Sequence, residues 1–361
     1  MLRDKILTGF LGALAMVALA ASSPYAATCT ATGFYKDGIN LTAAMVAQPG
    51  ETDLSGNTVD ATGCNIGIYY GPGTSGTVDS VAVSGANYFG ILVAGDCGVS
   101  APSCATVGAT SVDITNSSVH DIGESPLNGT QHGDAIAYYA FGVGASATGT
   151  VSGNAVYNYQ KGGIVALGPG AGATISGNTV TGQTPVDYIA QNGIEIDYGA
   201  SGQVMRNTVT GNSYIGTNGA SSIGILVFGG CGYALTTGVQ IVKNTIGSST
   251  LTDGNDIGIA LANYDPTCMT APSTATNNKV INNTLVNAEI VNVSGNGSPA
   301  GYQAGILDSG VNDKLINNNI SGQGYTPTNA NPCSLISPGT EVCAIDTDSS
   351  TATKVHANSI P

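Results

Sequence analysis

Short lines in which apolar residues alternate with small or polar ones recur along the chain. VSGNAV, ISGNTV, VMRNTV, IVKNTI, VINNTL, INNNI and HANSI each set an asparagine two residues before an aliphatic side chain. These asparagines are Asn154, Asn178, Asn207, Asn244, Asn283, Asn318 and Asn358. A second series follows the first: GIVAL, GIEID, GILVF, GIALA and GILDS, built on Ile164, Ile194, Ile225, Ile259 and Ile306. Looser members stand at Ile91, Ile136 and Ile345. Alternation with period two predicts half-buried strands. Recurrence of the whole line, with corners rich in Gly and Asn and no helical periodicity, predicts one coil per repeat. Coils stacked about 4.8 Å apart form a parallel β-solenoid. Asparagine then has two uses at a corner: it tolerates left-handed backbone, and its amide can bond the same amide one coil above. The isoleucine series is expected to stack as an apolar file inside the coil.

These "G-N-x-V … G-I" coils resemble the right-handed parallel β-helix proteins, the superfamily of pectate lyases and polygalacturonases, over roughly residues 50–361. The resemblance implies an all-β, single-stranded right-handed parallel β-helix with a short capping helix at its N-terminal end. Residues 39–50, INLTAAMVAQPG, fit such a helix: Asn40 as N-cap, Leu41, Ala44, Met45 and Gln48 at helical spacing, and Pro49-Gly50 as the stop. Three stretches follow: 1–27, 28–50 as the cap, and 51–361 as the solenoid. In the first, Arg3 and Lys5 precede an apolar run from Ile6 to Ala21 and then small residues, the pattern of a secretory signal peptide. No later stretch reaches ~18 apolar residues, so no transmembrane span is expected and the protein is expected to be secreted or held at the cell surface.

Export changes the meaning of the eight cysteines, which in an oxidising compartment pair by default. Stacking narrows the pairing: Cys97 with Cys104 and Cys333 with Cys343 clip loops, and Cys231 with Cys268 joins neighbouring coils. Cys29 and Cys64 then tie the cap to the first coil. Composition adds an acidic balance, 23 Asp+Glu against 9 Lys+Arg, with a formal net charge of -14. That balance argues against nucleic acid as a partner and suits Ca²⁺ or cationic ligands.

Candidate chemistry gathers in three consecutive coils. In QNGIEIDYGA, Ile194 and Ile196 point inward if Glu195 and Asp197 point outward. QHGDAIAYY adds His132 and Asp134, and QKGGIVAL adds Lys161. The expected catalytic set is Lys161, Glu195, Asp197, Asp134 and His132, with Asp134, Glu195 and Asp197 as a Ca²⁺ ligand set. Gln160, Gln191, Tyr139, Tyr188, Tyr198 and Arg206 are the expected substrate contacts. Such a face suits an extracellular acidic polysaccharide, either by lyase chemistry with Lys161 as base or by hydrolysis with a carboxyl pair. The catalytic sets of the similar families do not transfer: HGD at 132–134 is the nearest fragment, and RIK, an adjacent Asp pair and a DPH signature are absent. The alternative is a non-catalytic structural or adhesive surface protein whose product is the solenoid itself.

Overall fold

The isoleucine series stacks as one file. In the computed structural model, Ile91, Ile136, Ile164, Ile194, Ile225, Ile259, Ile306 and Ile345 pair in sequence, each with the next coil. The structure describes residues 28–361 except 105, 184, 218, 251–253, 292–300, 327–332 and 337–339, and the signal-peptide stretch lies outside the described residues. Each coil lends one strand to each of three sheets. The first sheet takes strands such as Asp134–Tyr139, Gly162–Leu167, Asn192–Asp197 and Ile223–Gly229. The second takes Ser146–Ser152, Ala171–Ser176, Ser201–Met205 and Gln240–Val242, and the third takes Ala155–Tyr159, Thr179–Thr181, Thr208–Thr210 and Thr245–Ser248. Within the coils all pairing is parallel, and the chain is a right-handed parallel β-helix, the hand that parallel crossovers adopt.

Inward side chains of the three sheets meet in one continuous core, which includes Ile164, Ile175, Val180, Ile194, Val204 and Val209. At the corner between the second and third sheets the asparagines form the expected ladder. Asn154 donates its backbone N–H and its Nδ2 to Asn178 Oδ1, both at 2.9 Å, and the pattern repeats through Asn207, Asn244, Asn283 and Asn318 to Asn358. Each second Nδ2 hydrogen reaches a backbone carbonyl, as from Asn178 to Val151 O at 2.9 Å. Left-handed backbone falls one residue earlier than expected, on Gly153, Gly177, Arg206 (φ +55°) and Lys243 (φ +58°). The ladder residue itself must start the next strand, which keeps it extended.

The expected capping helix is a strand. Ile39–Val46 pairs parallel with Ile66–Tyr70 and antiparallel with Thr30–Lys36, so a hairpin closes this end of the first sheet. Leu41 and Ala43 are fully buried, and alternate residues share a face. In a short apolar run helical and strand spacings overlap; here pairing with the first coil decides. The far end is closed the same way: Cys333–Ile336 runs antiparallel to Thr340–Asp346 on the outermost edge. Both hairpins hide strand edges that would otherwise template association. All four expected disulfides are present, Cys29–Cys64, Cys97–Cys104, Cys231–Cys268 and Cys333–Cys343. Four closed pairs indicate an oxidising, extracytoplasmic compartment. No helix among the described residues is long and apolar enough to cross a membrane.

Candidate functional site

Alternation along Asn192–Asp197 sends Ile194 and Ile196 into the core and Glu195 and Asp197 to the outer face of the first sheet, as expected. That outer face departs from a solvated sheet. Its neighbouring positions in register are Val165 and Leu167 on one side and Leu226 and Phe228 on the other, all part of apolar clusters. Asp134 is 5% exposed, Glu195 8% and Asp197 3%, so three carboxyl groups lie within an apolar surface. Burying a carboxylate is costly unless it is paired or keeps its proton.

The hairpin supplies part of the cover. Phe34 meets Tyr139 edge-on at 5.0 Å and Phe89 at 6.1 Å, and Lys36 Nζ lies 5.8 Å from the Phe89 ring centre. From there the Lys36 charge acts on Asp134. This contribution is invisible in the sequence because Thr30–Lys36 is placed by pairing with Ile39–Val46, and that stretch reads as a helix.

Asp134 lies in one file with Gly162 and Asn192 in the next two coils. A Cβ on Gly162 would stand 2.7 Å from Asp134 Oδ1, so only glycine leaves room for the carboxyl to lie across the coil. Burial pushes Asp134 up to about 7, helped by the Glu195 charge and opposed by Lys36, Lys161 and the Gly162 N–H. Glu195 Oε1 accepts Asn192 Nδ2 at 2.6 Å. Asp197 Oδ1 accepts the Phe228 N–H at 3.0 Å, and the Asp197 and Glu195 carboxyls hydrogen-bond each other. Burial, then the neighbouring Glu195 charge, raises Asp197 well above the ordinary carboxylate range, with Lys161 opposing. Asp197 therefore keeps its proton against Glu195, beside a third acid poised near neutrality. Pairs of this kind supply a proton donor and an acceptor on one surface.

Lys161 is half-buried and donates to Ala190 O at 3.0 Å, and its charge acts on Asp134 and Asp197. The proposed Ca²⁺ ligands do not converge. Among the described residues the set of three potential ligand atoms within 4.8 Å of one another is Cys333, Glu341 and Cys343, whose cysteines are bonded together. Asp134, Glu195 and Asp197 do not form such a group among the described residues.

His132 sits apart from the carboxyl group. Its ring stacks on Tyr88 at 3.9 Å, Nε2 meets Glu124 Oε1 at 2.7 Å, and Nδ1 lies 3.6 Å from Asp37 at the hairpin tip. Gln160 and Gln191 are fully buried corner residues. Gln160 Nε2 donates to Thr130 and His132 carbonyls while Oε1 accepts the N–H of Glu124 and Asn128, so it shapes the 123–131 loop. Gln191 accepts Gln183 N–H at 2.8 Å and donates to Tyr159 O at 2.6 Å. Every polar atom of both amides is thus taken by the fold, which leaves them no free donor for a sugar. Arg206 is on the corner between the second and third sheets, away from the first-sheet face, because its strand belongs to the second sheet. Tyr188 lies half-buried in the loop before Gln191, its hydroxyl donating to Gln183 Oε1 at 3.1 Å.

Tyr139 and Tyr198 belong to a larger feature. Tyr139 packs on Phe141 at 4.9 Å, Phe141 on Tyr198 at 5.9 Å, Tyr198 on Phe228 at 5.5 Å and Phe228 on Tyr264 at 6.4 Å. A file of aromatic rings thereby crosses successive coils beside Asp197, with Phe141, Tyr198, Phe228 and Tyr264 partly exposed. Sequence reading picks Tyr139 and Tyr198 but misses Phe141, Phe228 and Tyr264; their shared position at or just past the end of each first-sheet strand is the available signal.

Comparison with known proteins adds little beyond these features. A solved structure of the periplasmic alginate epimerase AlgG, in a double-mutant form, aligns over 85% of this chain and 73% of its own at 13% identity, with a TM-score of 0.39. The likeness is one of fold. No family model matches the chain, and no curated protein matches it.

Proposed function

We propose that the outer face of the first sheet binds an extracellular acidic polysaccharide and acts on it by acid–base chemistry carried by carboxyl groups. The carrying observation is the neighbourhood of Asp134, poised at about 7, and the proton-holding pair Glu195 and Asp197, beside an aromatic file that spans several coils. The aromatic rings would take the apolar faces of successive sugars. Lys161 and Lys36 would meet the negative groups of the polymer. Asp134 ionised would accept a proton, and Asp197, protonated beside Glu195, would donate one. Lys161 would act here as a positive charge held toward the acids by its hydrogen bond to Ala190 O.

The single-digit exposure of the three acids favours a second reading, in which the solenoid is a non-catalytic surface protein. One experiment separates the two. Purified protein is incubated with a panel of uronate polysaccharides while reducing ends, unsaturated ends and binding are followed. The first reading expects binding and turnover on at least one polymer, with turnover lost in Glu195→Gln and Asp134→Asn. Neither binding nor turnover on any polymer leaves the structural reading standing.

A further inference from the structure

The second sheet carries a different surface. Its outward positions stack in register as Asp113, Thr150, Thr174, Gln203, Gln240, Lys279, Lys314 and Lys354. The file thus changes from acidic through neutral to basic toward the C-terminal end. Lys279, Lys314 and Lys354 occupy three consecutive coils about 4.8 Å apart. Arg206 and Lys243 follow the strands Ser201–Met205 and Gln240–Val242 at the adjoining corner. Five of the nine Lys and Arg residues in a chain of net charge -14 therefore lie on this one side.

Nothing in the fold asks for this arrangement. Like charges directly opposite each other on adjacent strands destabilise a sheet. None of the three lysines lies within 4.0 Å of a carboxylate of the described residues to relieve it. Two residues further along the same strands runs a second outward file, Met205, Val242, Ile281 and Ile316, half-buried and apolar. Toward the middle of the solenoid the lysine file continues into a groove of about 420 Å³ lined by Thr148, Thr174, Ser201, Gln203 and Gln240. Cations at one-coil intervals, an apolar file beside them and a hydroxyl- and amide-lined groove in line make up one continuous track along the solenoid axis.

We infer that this track is a second, non-catalytic binding surface for a linear anionic polysaccharide laid along the axis. Carboxylates of successive sugars meet the lysine file, their C–H faces lie on the Met205–Ile316 file, and their hydroxyls enter the groove. The groove of hydroxyl and amide groups in line with the lysines, which would take ring hydroxyls, is what favours a polysaccharide over single-stranded nucleic acid, whose bases and sugars also offer apolar faces. The surface is independent of the first-sheet carboxyl groups.

The test uses the full protein and a fluorescently labelled linear oligogalacturonate, read by fluorescence anisotropy over a range of salt. Wild type is expected to bind, with affinity falling as salt rises because the contact is an array of ion pairs. The triple variant Lys279→Gln, Lys314→Gln, Lys354→Gln is expected to bind about tenfold or more weakly with a flatter salt dependence. Lys314→Gln alone, at the centre of the file, is expected to lose about threefold, which keeps the test open should the triple variant fold poorly. Turnover reports the first-sheet face and is expected to stay unchanged in Lys314→Gln, which lies on the second sheet, whereas salt-dependent binding reports the lysine file, so failure of the first-sheet reading and failure of this one are told apart. No binding by wild type, equal binding by the lysine variants, or equal binding of an uncharged β-glucan oligosaccharide overturns the inference. Tighter binding of single-stranded DNA than of the oligogalacturonate also overturns it.

Discussion

Replacing Asp134 by Asn should stabilise the protein, and only at the higher end of the pH range. Asp134 is 5% exposed, and burial pushes its carboxyl from 3.8 to about 7. Near pH 4 and below, the group carries its proton in folded and unfolded chains alike, and no penalty arises. As pH rises toward 7, the unfolded chain ionises while the folded one still holds the proton. Stability contributed by the protonated carboxyl is therefore lost through this window and is gone above about 7. A shift of this size corresponds to roughly 4 kcal/mol. The amide of the Asp134→Asn variant avoids the loss while keeping an oxygen for the Gly162 N–H. Attraction by Lys36 and Lys161 is already included in the shift. Urea unfolding at several pH values should give a variant equal to wild type near pH 4 and about 2–4 kcal/mol more stable at pH 8. Asp197, Asp308 and Asp313, whose carboxyls are also raised, bias both proteins alike, so the difference between the two curves isolates Asp134. A difference that does not vary with pH, or a variant weaker at pH 8 than at pH 4, refutes the burial of a titrating carboxyl at this position.

Other outcomes follow from the same geometry. Asn244→Ala strands the N–H and Nδ2 of Asn207 in a buried corner and should cost about 2–4 kcal/mol, whereas Asn358→Ala at the partly exposed end of the ladder should cost about 1 kcal/mol or less, both read by denaturant unfolding. Phe34→Ala removes the ring that packs on Phe89 and Tyr139; it should cost about 3 kcal/mol or more in unfolding experiments and speed amide exchange in Phe89–Ala94. Reduction of Cys29–Cys64, or Cys64→Ser, opens a bridge spanning 35 residues and should lower stability by about 3–4 kcal/mol on the chain-entropy account. Lys161→Met withdraws a charge that favours ionised Asp134 and Asp197, so the carboxyl titration near 7 should move upward when followed by NMR.

How far the sequence can be read depends on how local the cause is. The Asn and Ile files are legible because each coil repeats the same residue for the same reason, and the ladder and core hold both series in register. The disulfides follow from that register. Residues 39–46 mislead because Leu41, Ala44 and Met45 satisfy helical spacing while Leu41, Ala43 and Met45 satisfy strand spacing equally well. Only pairing with Ile66–Tyr70, a contact outside the segment, separates the two. The direction of Glu195 and Asp197 is legible from Ile194 and Ile196, but their burial is not. It arises from Val165, Leu167, Leu226 and Phe228 in the neighbouring coils. Gln160 and Gln191 look like ligand contacts because an amide in sequence does not reveal which backbone groups it must satisfy. Chain distance puts Arg206 near the patch, while one corner of the coil turns it onto another side.

The most direct test of the proposed site is the pH–rate profile on whichever uronate polymer responds best. A bell is predicted, with its rising limb near pH 7 from Asp134 and its falling limb from Asp197, whose carboxyl is raised well above the ordinary range. Turnover should be lost in Asp134→Asn, and the rising limb should shift upward in Lys161→Met. Turnover that persists in Asp134→Asn with Glu195→Gln, or a profile unchanged by Lys161→Met, contradicts the assignment of acid–base chemistry to this face.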